Sequence, residues 1–359
     1  MENKILLLLA FAVSFIITFL STPFVKRIAE KIDIVDKPDE ARRVHKKPIP
    51  LLGGLSMFYG FIVSVILFGI LDKSVRGMAL GALIILVVGI IDDAKKLSAK
   101  VKLPFQILAA IVLILHDVRI DVISVPAFIS ETGVLQLGFW GIPLTIVWIV
   151  GVTNAVNLID GLDGLAAGVS SIACMSLFCI AILVGEFEVA LITAALTGAC
   201  FGFLPYNFNP AKIFMGDTGS TFLGFILGTV SIMGLFKSYA VISVAVPFLV
   251  LGLPLFDTGF AIIRRMKAGK PIMEPDREHL HHRVLDMGFS QKKTVGIIYL
   301  MCTVLGLCAV VLVSSGGLQA VLLMLGVIAA VFAATKIFGG KITEKLKKNS
   351  ADEEVKTDD

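Results

Sequence analysis

The chain has 359 residues, of which 57% are hydrophobic and only 17% charged, and its net charge is +4 at neutral pH. A soluble domain carries roughly a quarter charged residues, so the composition excludes an ordinary soluble globular protein. The small positive charge has a topological origin, argued below, and makes no case for nucleic acid.

Apolar runs recur along the whole length and predict eleven membrane helices, at about 4–22, 51–71, 76–91, 102–116, 139–154, 165–184, 188–205, 219–236, 239–263, 294–314 and 318–336. The first run has no small-x-small cleavage site and is followed by Lys26 and Arg27. It reads as a retained helix with an outside N-terminus, not as a signal peptide. Residues 36–54 come next and end His45-Lys46-Lys47-Pro48-Ile49-Pro50-Leu51-Leu52-Gly53-Gly54. The basic part serves as an orientation signal, with Lys47 a candidate substrate-binding cation. The Pro-x-Pro-x-x-Gly-Gly ending predicts a rigid turn and close backbone approach at the mouth of the second run.

Asp92 and Asp93 close the third run. Adjacent carboxylates repel unless a cation sits between them, which suits metal-assisted or acid–base chemistry as well as a solvated helix cap. Lys95, Lys96, Lys100 and Lys102 follow. Lys102 opens the fourth run, with Gln106 one turn on and facing the same pocket. Residues 119–138 alternate apolar and polar, which predicts a short β-hairpin. Asn154, Asn157, Asp160 and Asp163 then recur every third residue, a spacing that lines them along one helical ridge. Gly161 and Gly164 break that helix and let backbone approach a ligand.

The segment from Asn207 to Asp217 opens the eighth helix. A lone Asp there is commonly a cap for the first amides. A hard cation such as Mg2+ takes oxygen ligands, one or two carboxylates plus substrate phosphates, and Asp217 with Asn157 fits that set. Phe214 is either a core side chain or a platform for a base. The ninth run holds Pro247, Gly252 and Pro254, so it is expected to kink; a broken membrane helix borders a cavity or neighbouring protein. Both a lipid groove and a packing kink satisfy that. His279, His281, His282 and Arg283 follow in the last large inner loop, near Arg264, Arg265 and Arg277. No Cys accompanies them, and their spacing is not a zinc pair; they read as pyrophosphate binders. The five Cys fall inside predicted helices and read as small buried hydrophobes.

Lys4, Lys73, Arg76, Arg119 and Lys237 fall in outer segments if the N-terminus is outside; every other Lys and Arg of the 32 is then inside. The positive-inside rule favours that arrangement. The expected fold class is an all-α polytopic membrane protein of about eleven transmembrane helices, N-out and C-in, with a short external β-hairpin and a kinked ninth helix. Residues 1–338 form one membrane domain, and 339–359 form a charged, disordered cytoplasmic tail. The four polar clusters lie on the cytoplasmic side. A secondary transporter would hold its ionisable groups nearer mid-bilayer, with repeat symmetry. An intramembrane aspartyl protease would need two facing Asp within the bilayer.

The Pro-x-Pro-x-x-Gly-Gly, Asp92-Asp93, Asn157-Leu-Ile-Asp160-Gly-Leu-Asp163-Gly and Phe214-Met-Gly-Asp217 motifs, in this order, resemble those of the polyprenyl-phosphate N-acetylhexosamine-1-phosphate transferases over residues 1–335. The His-Leu-His-His-Arg loop is similar to the bacterial GlcNAc-1-phosphate branch, which primes teichoic acid, O-antigen and related surface glycans. The phospho-MurNAc-pentapeptide branch of peptidoglycan synthesis carries a longer His run and a different turn before Gly53, and stands as the alternative. The resemblance implies a multi-pass enzyme of the bacterial cytoplasmic membrane whose active site is cytoplasmic. It would transfer a sugar 1-phosphate from a UDP-N-acetylhexosamine, UDP-GlcNAc first, to undecaprenyl phosphate, releasing UMP. It further implies Mg2+, with Mn2+ as an alternative, held by Asp217 and Asn157; Asp92 and Asp93 as the acid/base pair; and Phe214 stacked on uracil. Asp160 and Asp163, with Asn154 and Asn207, would help form the nucleotide–sugar site. Lys102, His279, His281, His282 and Arg283 would hold phosphates, and Lys47 would be a further substrate-binding residue. A homodimer is a further expectation, with no face assigned in the sequence.

Overall fold

The computed structural model describes residues 2–37, 48–124, 130, 133–234, 245–269, 271 and 279–315, together with 319, 322, 325 and 326. Lys47, Arg277, the start of the ninth run, nearly all of the eleventh and the charged tail lie outside the described residues.

The chain folds almost wholly into helices. They are α1 (Glu2–Lys31), α2 (Gly53–Phe68), α3 (Lys73–Lys95), α4 (Ala99–Leu115), α5 (Gly141–Ile159), α6 (Leu165–Val184), α7 (Phe187–Asn207), α8 (Gly216–Gly234), α9 (Ala245–Val250), α10 (Gly252–Lys267), α11 (Leu280–Asp286) and α12 (Gln291–Ser315). Among the described residues six are long and apolar enough to cross a membrane: α1, α3, α5 with the turn before it, α6, α7 and α12; α2 is a shorter apolar helix. Large aliphatic side chains such as Leu8, Leu20, Leu300 and Leu307 stand exposed on α1 and α12. In a polytopic membrane protein such faces meet acyl chains, not water. The helix α1 continues through Pro23 to Lys31, beyond the predicted 4–22, because its basic last turns extend past the apolar run.

The centre of the bundle is α8, on which α2, α3, α5, α6 and α7 all pack. Every residue from Thr218 to Gly234 is buried, as expected for a helix apolar on all sides. Its N-terminal turn is approached closely through two glycines. A Cβ on Gly54 of α2 would collide with the backbone of Gly219, and one on Gly89 of α3 would lie 2.5 Å from the Thr218 Cα. Close backbone approach through small residues is how helices gain packing energy where no hydrophobic effect separates lipid from Leu.

The Pro-x-Pro-x-x-Gly-Gly turn fastens this region. The strand β1 (Val35–Asp36) pairs antiparallel with β2 (Ile49–Pro50), bracketing the basic segment. Phe214 N–H donates to Pro50 O, Gly53 N–H to Phe214 O and Gly54 N–H to Met215 O, each at 2.9 Å. Leu52 sits in the left-handed region at φ 73° to make the turn. The expected hairpin is present: β3 (Val122–Ser124) pairs antiparallel with β4 (Val134–Gln136), Ile123 opposite Leu135. It joins the end of α4 to the start of α5. The end of α3, the starts of α4 and α8 and the end of α5 therefore gather at the opposite end of the bundle. The expected break in the ninth run lies at Leu251, between α9 and α10. Pro254 sits in the first turn of α10, where its missing N–H costs nothing.

Candidate active site

At that end lies a cavity of about 510 Å3, lined by residues of β1, α3, α4, α5, α7, α8, α11, α12 and the connections between them. Its floor is an ion-pair chain. Lys102 Nζ donates to Asp92 Oδ2 at 2.7 Å and to Asp217 Oδ2 at 2.5 Å. Asp217 Oδ1 accepts from Asn157 Nδ2 at 2.9 Å, and the same amide reaches Ser220 Oγ at 2.9 Å. Asp92 is 6% exposed and its other oxygen accepts from Leu97 N–H at 2.5 Å. An ammonium carries three N–H donors; two are used, which leaves one for a ligand oxygen.

Asp93 is deployed differently from its neighbour. Its Oδ1 accepts from Asp217 N–H at 2.7 Å, and its Oδ2 from Thr218 N–H at 3.1 Å and Thr218 Oγ1 at 2.6 Å. The side chain therefore caps α8 from another helix, satisfying amide donors that have no partner within α8. Gly216, at φ +67°, gives the carboxylate room, since a Cβ there would run into it.

The predicted ridge of Asn154, Asn157, Asp160 and Asp163 is corrected. The helix α5 ends at Ile159, so the two acids lie in the turn that follows. Asn154 turns away: it forms a reciprocal amide pair with the buried Gln106, and neither residue lines the cavity. Asp163 Oδ2 accepts from Asn209 Nδ2 and Ala211 N–H, both at 2.9 Å. Asn207, 2% exposed, spends both ends of its amide on Gly164 N–H and Ile213 O. Phe214 is half-buried on the cavity wall.

Asp160 faces the cavity, and burial, followed by the charges of Asp217, Asp93 and Asp163, pushes its pKa up to about 8. A raised carboxylate pKa means that the folded state binds the proton more tightly than the unfolded chain. Stability therefore falls as pH rises from about 4 to about 8 and is level above that. Asp160→Asn removes the penalty. Allowing for water in the cavity, it should raise the melting temperature by roughly 2–4 °C at pH 8 and leave it unchanged near pH 4. Melting curves across pH check this; a variant equally or less stable at pH 8 would show that Asp160 is ionised at no cost.

The histidine segment splits between two cavities. The short helix α11 is a shared wall: His282 and Leu285 line the first cavity, whereas Leu280 and Arg283 line a second, of about 470 Å3, with Phe256, Phe260, Met301 and Leu305. His279 and His281 are 4% and 2% exposed and line neither. His281 packs on Gly161. Its pKa is pushed down to about 4 by burial and then by the neighbouring imidazoles, so it is neutral. Of the residues named from the sequence, the first cavity thus gathers Asp92, Asp93, Lys96, Lys102, Asn157, Asp160, Gly161, Asp163, Asn207, Phe214, Asp217 and His282. It does not gather Asn154, His279, His281 or Arg283. Asp257 was missed: it accepts from His279 Nδ1 and from Leu280 N–H, both at 2.9 Å. A single acid within the apolar ninth run was the signal. Of the Cys, four are buried as expected, and Cys179 is exposed.

Among the described residues no three His, Cys, Asp or Glu converge as a closed metal cage. The cavity instead offers several carboxylates, with the Lys102 ammonium already playing the part of a cation between two of them. That donor set fits a hard dication that takes few protein oxygens and completes its shell with water and phosphate.

The glycosyl transferase family 4 model matches residues 75–235. The chain is 44% identical over 315 residues to the probable undecaprenyl-phosphate N-acetylglucosaminyl 1-phosphate transferase of Bacillus subtilis (strain 168), spanning 88% of this chain and 87% of that protein. It is 36% identical over 350 residues to the decaprenyl-phosphate N-acetylglucosaminephosphotransferase of Mycobacterium tuberculosis (strain CDC 1551 / Oshkosh), with 90% and 86% covered. It is 28% identical over 298 residues to the undecaprenyl-phosphate alpha-N-acetylglucosaminyl 1-phosphate transferase of Escherichia coli (strain K12), with 81% and 80% covered.

Proposed function

Because the chain belongs to glycosyl transferase family 4, we propose that it transfers GlcNAc 1-phosphate from UDP-GlcNAc to undecaprenyl phosphate and releases UMP. The observation that carries this reading is the Asp92–Lys102–Asp217–Asn157 chain on the floor of a polar cavity, in a chain so similar to the relatives named above. We further propose eleven crossings with the N-terminus outside, in the bacterial cytoplasmic membrane, and a cytoplasmic cavity. The lysine and arginine distribution supports that orientation.

In the reaction, an oxygen of the acceptor phosphate bonds to the sugar-bearing phosphorus of UDP-GlcNAc. The bond from that phosphorus to the bridging oxygen breaks, and the electron pair leaves with UMP. Two anions must meet, so charge neutralisation is the main task. Lys102 would give its third N–H to a phosphate oxygen. His282 lines the same cavity, and Phe214 would stack on the uracil. Asp217 and the Asn157 carbonyl would hold Mg2+, or Mn2+ in its place. When bound, the ion supplies Lewis-acid neutralisation of the pyrophosphate. A phosphomonoester has its second pKa at about 6 and is largely ionised at pH 7, so Asp92 would orient the acceptor through a shared proton more than remove one. Asp93 would act by holding the first turn of α8. The second cavity, apolar and flanked by Arg264 and Arg283, would receive the start of the prenyl chain; the break before α10 supports this.

The test is UMP release by the purified protein with undecaprenyl phosphate and Mg2+, from UDP-GlcNAc and, in parallel, from UDP-MurNAc-pentapeptide. Release from UDP-GlcNAc alone, abolished by EDTA, is expected. Release from the peptide substrate alone would move the protein to the peptidoglycan branch.

A further inference from the structure

The two cavities share the wall α11, and one side chain ties that wall to α10. Asp257, on α10, uses both carboxylate oxygens: Oδ2 takes His279 Nδ1 and Oδ1 takes Leu280 N–H, the first amide of α11, each at 2.9 Å. With Nδ1–H donated, the His279 ring is fixed in plane and tautomer. His281 then stacks on His279 with ring centroids 5.9 Å apart and planes 3° apart, and His282 lies 4.2 Å beyond His281. Neither end of this row is adjustable alone. His281 is almost wholly buried, its Nδ1 has no partner, and it abuts Gly161, where a side chain would collide with its ring. Only His282 reaches the cavity that holds Asp217. A helix of seven residues has little stability of its own, so its orientation is set by what grips it.

We propose that Asp257 is a positioning residue for the transfer reaction: by clamping His279 and the start of α11, it sets where His282 stands in the polar cavity. This rests on the transferase reading for its kinetic consequence, but the clamp itself does not. Asp257 also lines the apolar cavity, so the same clamp holds the partition between the acceptor's lipid end and the nucleotide sugar.

The experiment uses the full chain in detergent with the variants Asp257→Asn, Asp257→Glu, His282→Ala and the double variant Asp257→Asn/His282→Ala. Diethyl pyrocarbonate labelling read by mass spectrometry reports access to each histidine without any substrate. In the wild type His279 and His281 should be protected. In Asp257→Asn, whose amide can accept through one oxygen only, both should become reactive, with Asp257→Glu restoring part of the protection. In the kinetic arm, Asp257→Asn should lower kcat/KM for UMP release by about tenfold, the loss expected of one charge-assisted hydrogen bond. The double variant should be no slower than His282→Ala, because a residue acting through His282 has nothing left to position. Melting curves separate a local change from unfolding. Unchanged protection in both Asp257 variants would overturn the clamp. Losses that multiply in the double variant would overturn the positioning role and leave only a structural one. If the wild type releases no UMP, the transferase reading fails by itself, and the labelling still decides the clamp.

Discussion

Replacing Asp217 by Ala should lower UMP release by about a thousandfold or more, with no rescue by saturating Mg2+. Asp217 is where the site's separate elements meet: α4 through Lys102, α5 through Asn157 and α3 through the backbone hold of Asp93. Its position in the first turn of α8 adds a favourable helix dipole for a negative charge, so the carboxylate is kept ionised where a cation is wanted. Removing it costs a ligand for the proposed Mg2+. It also releases Lys102 to pair with Asp92 alone, which ties the ammonium to the group proposed to orient the acceptor. Asp217→Asn keeps the shape and one acceptor and should fare little better, because the task is charge. Should either variant keep a tenth of the wild-type rate, the metal and the charge neutralisation must be held elsewhere. The Asp92–Lys102 pair would then be the place to look.

Six of the eleven expected membrane helices return among the described residues as helices long and apolar enough to span, legible because about twenty apolar residues in a row admit few other structures; the kink at Leu251 and the hairpin were legible from proline and from alternation. Single polar residues at the rim were legible as a group, since each ends or begins an apolar run. Their partners were not. Lys102 and Asp217 are 115 positions apart, and nothing local announces that α4 and α8 start side by side. The three-residue spacing of Asn154 and Asn157 suggested one ridge. On a helix that spacing leaves about 60° between side chains, enough to send Asn154 to Gln106 and Asn157 to Asp217. The histidines were read as one binding cluster, whereas a helix distributes neighbours around its axis. His282 and Arg283 consequently face different cavities.

The same geometry separates Asp92 from Asp93, which the sequence presents as a pair. Adjacent helical residues point about 100° apart, and here one turns to Lys102 and the other to the N-terminus of α8. Isosteric variants should therefore fail in different ways. In Asp92→Asn the amide oxygen can still accept from Leu97 N–H, and the flexible Lys102 can withdraw to Asp217, so the fold should hold within about 2 °C of the wild-type melting temperature while UMP release falls by about a hundredfold or more. In Asp93→Asn one oxygen must serve three donors. Whichever way the amide is turned, its NH2 faces either Asp217 N–H or the Thr218 pair, and a buried donor meets a donor. Losing charge-assisted bonds and leaving an amide unpaired costs about 3 kcal/mol or more, a melting temperature lower by roughly 6–12 °C. The rate falls with it, because the turn that unravels carries Asp217. Melting curves and rates measured on the same preparations decide between this and an acid/base pair. Were Asp93→Asn to melt like the wild type and lose rate as Asp92→Asn does, the two carboxylates would share one task. The cap on α8 would then be dispensable.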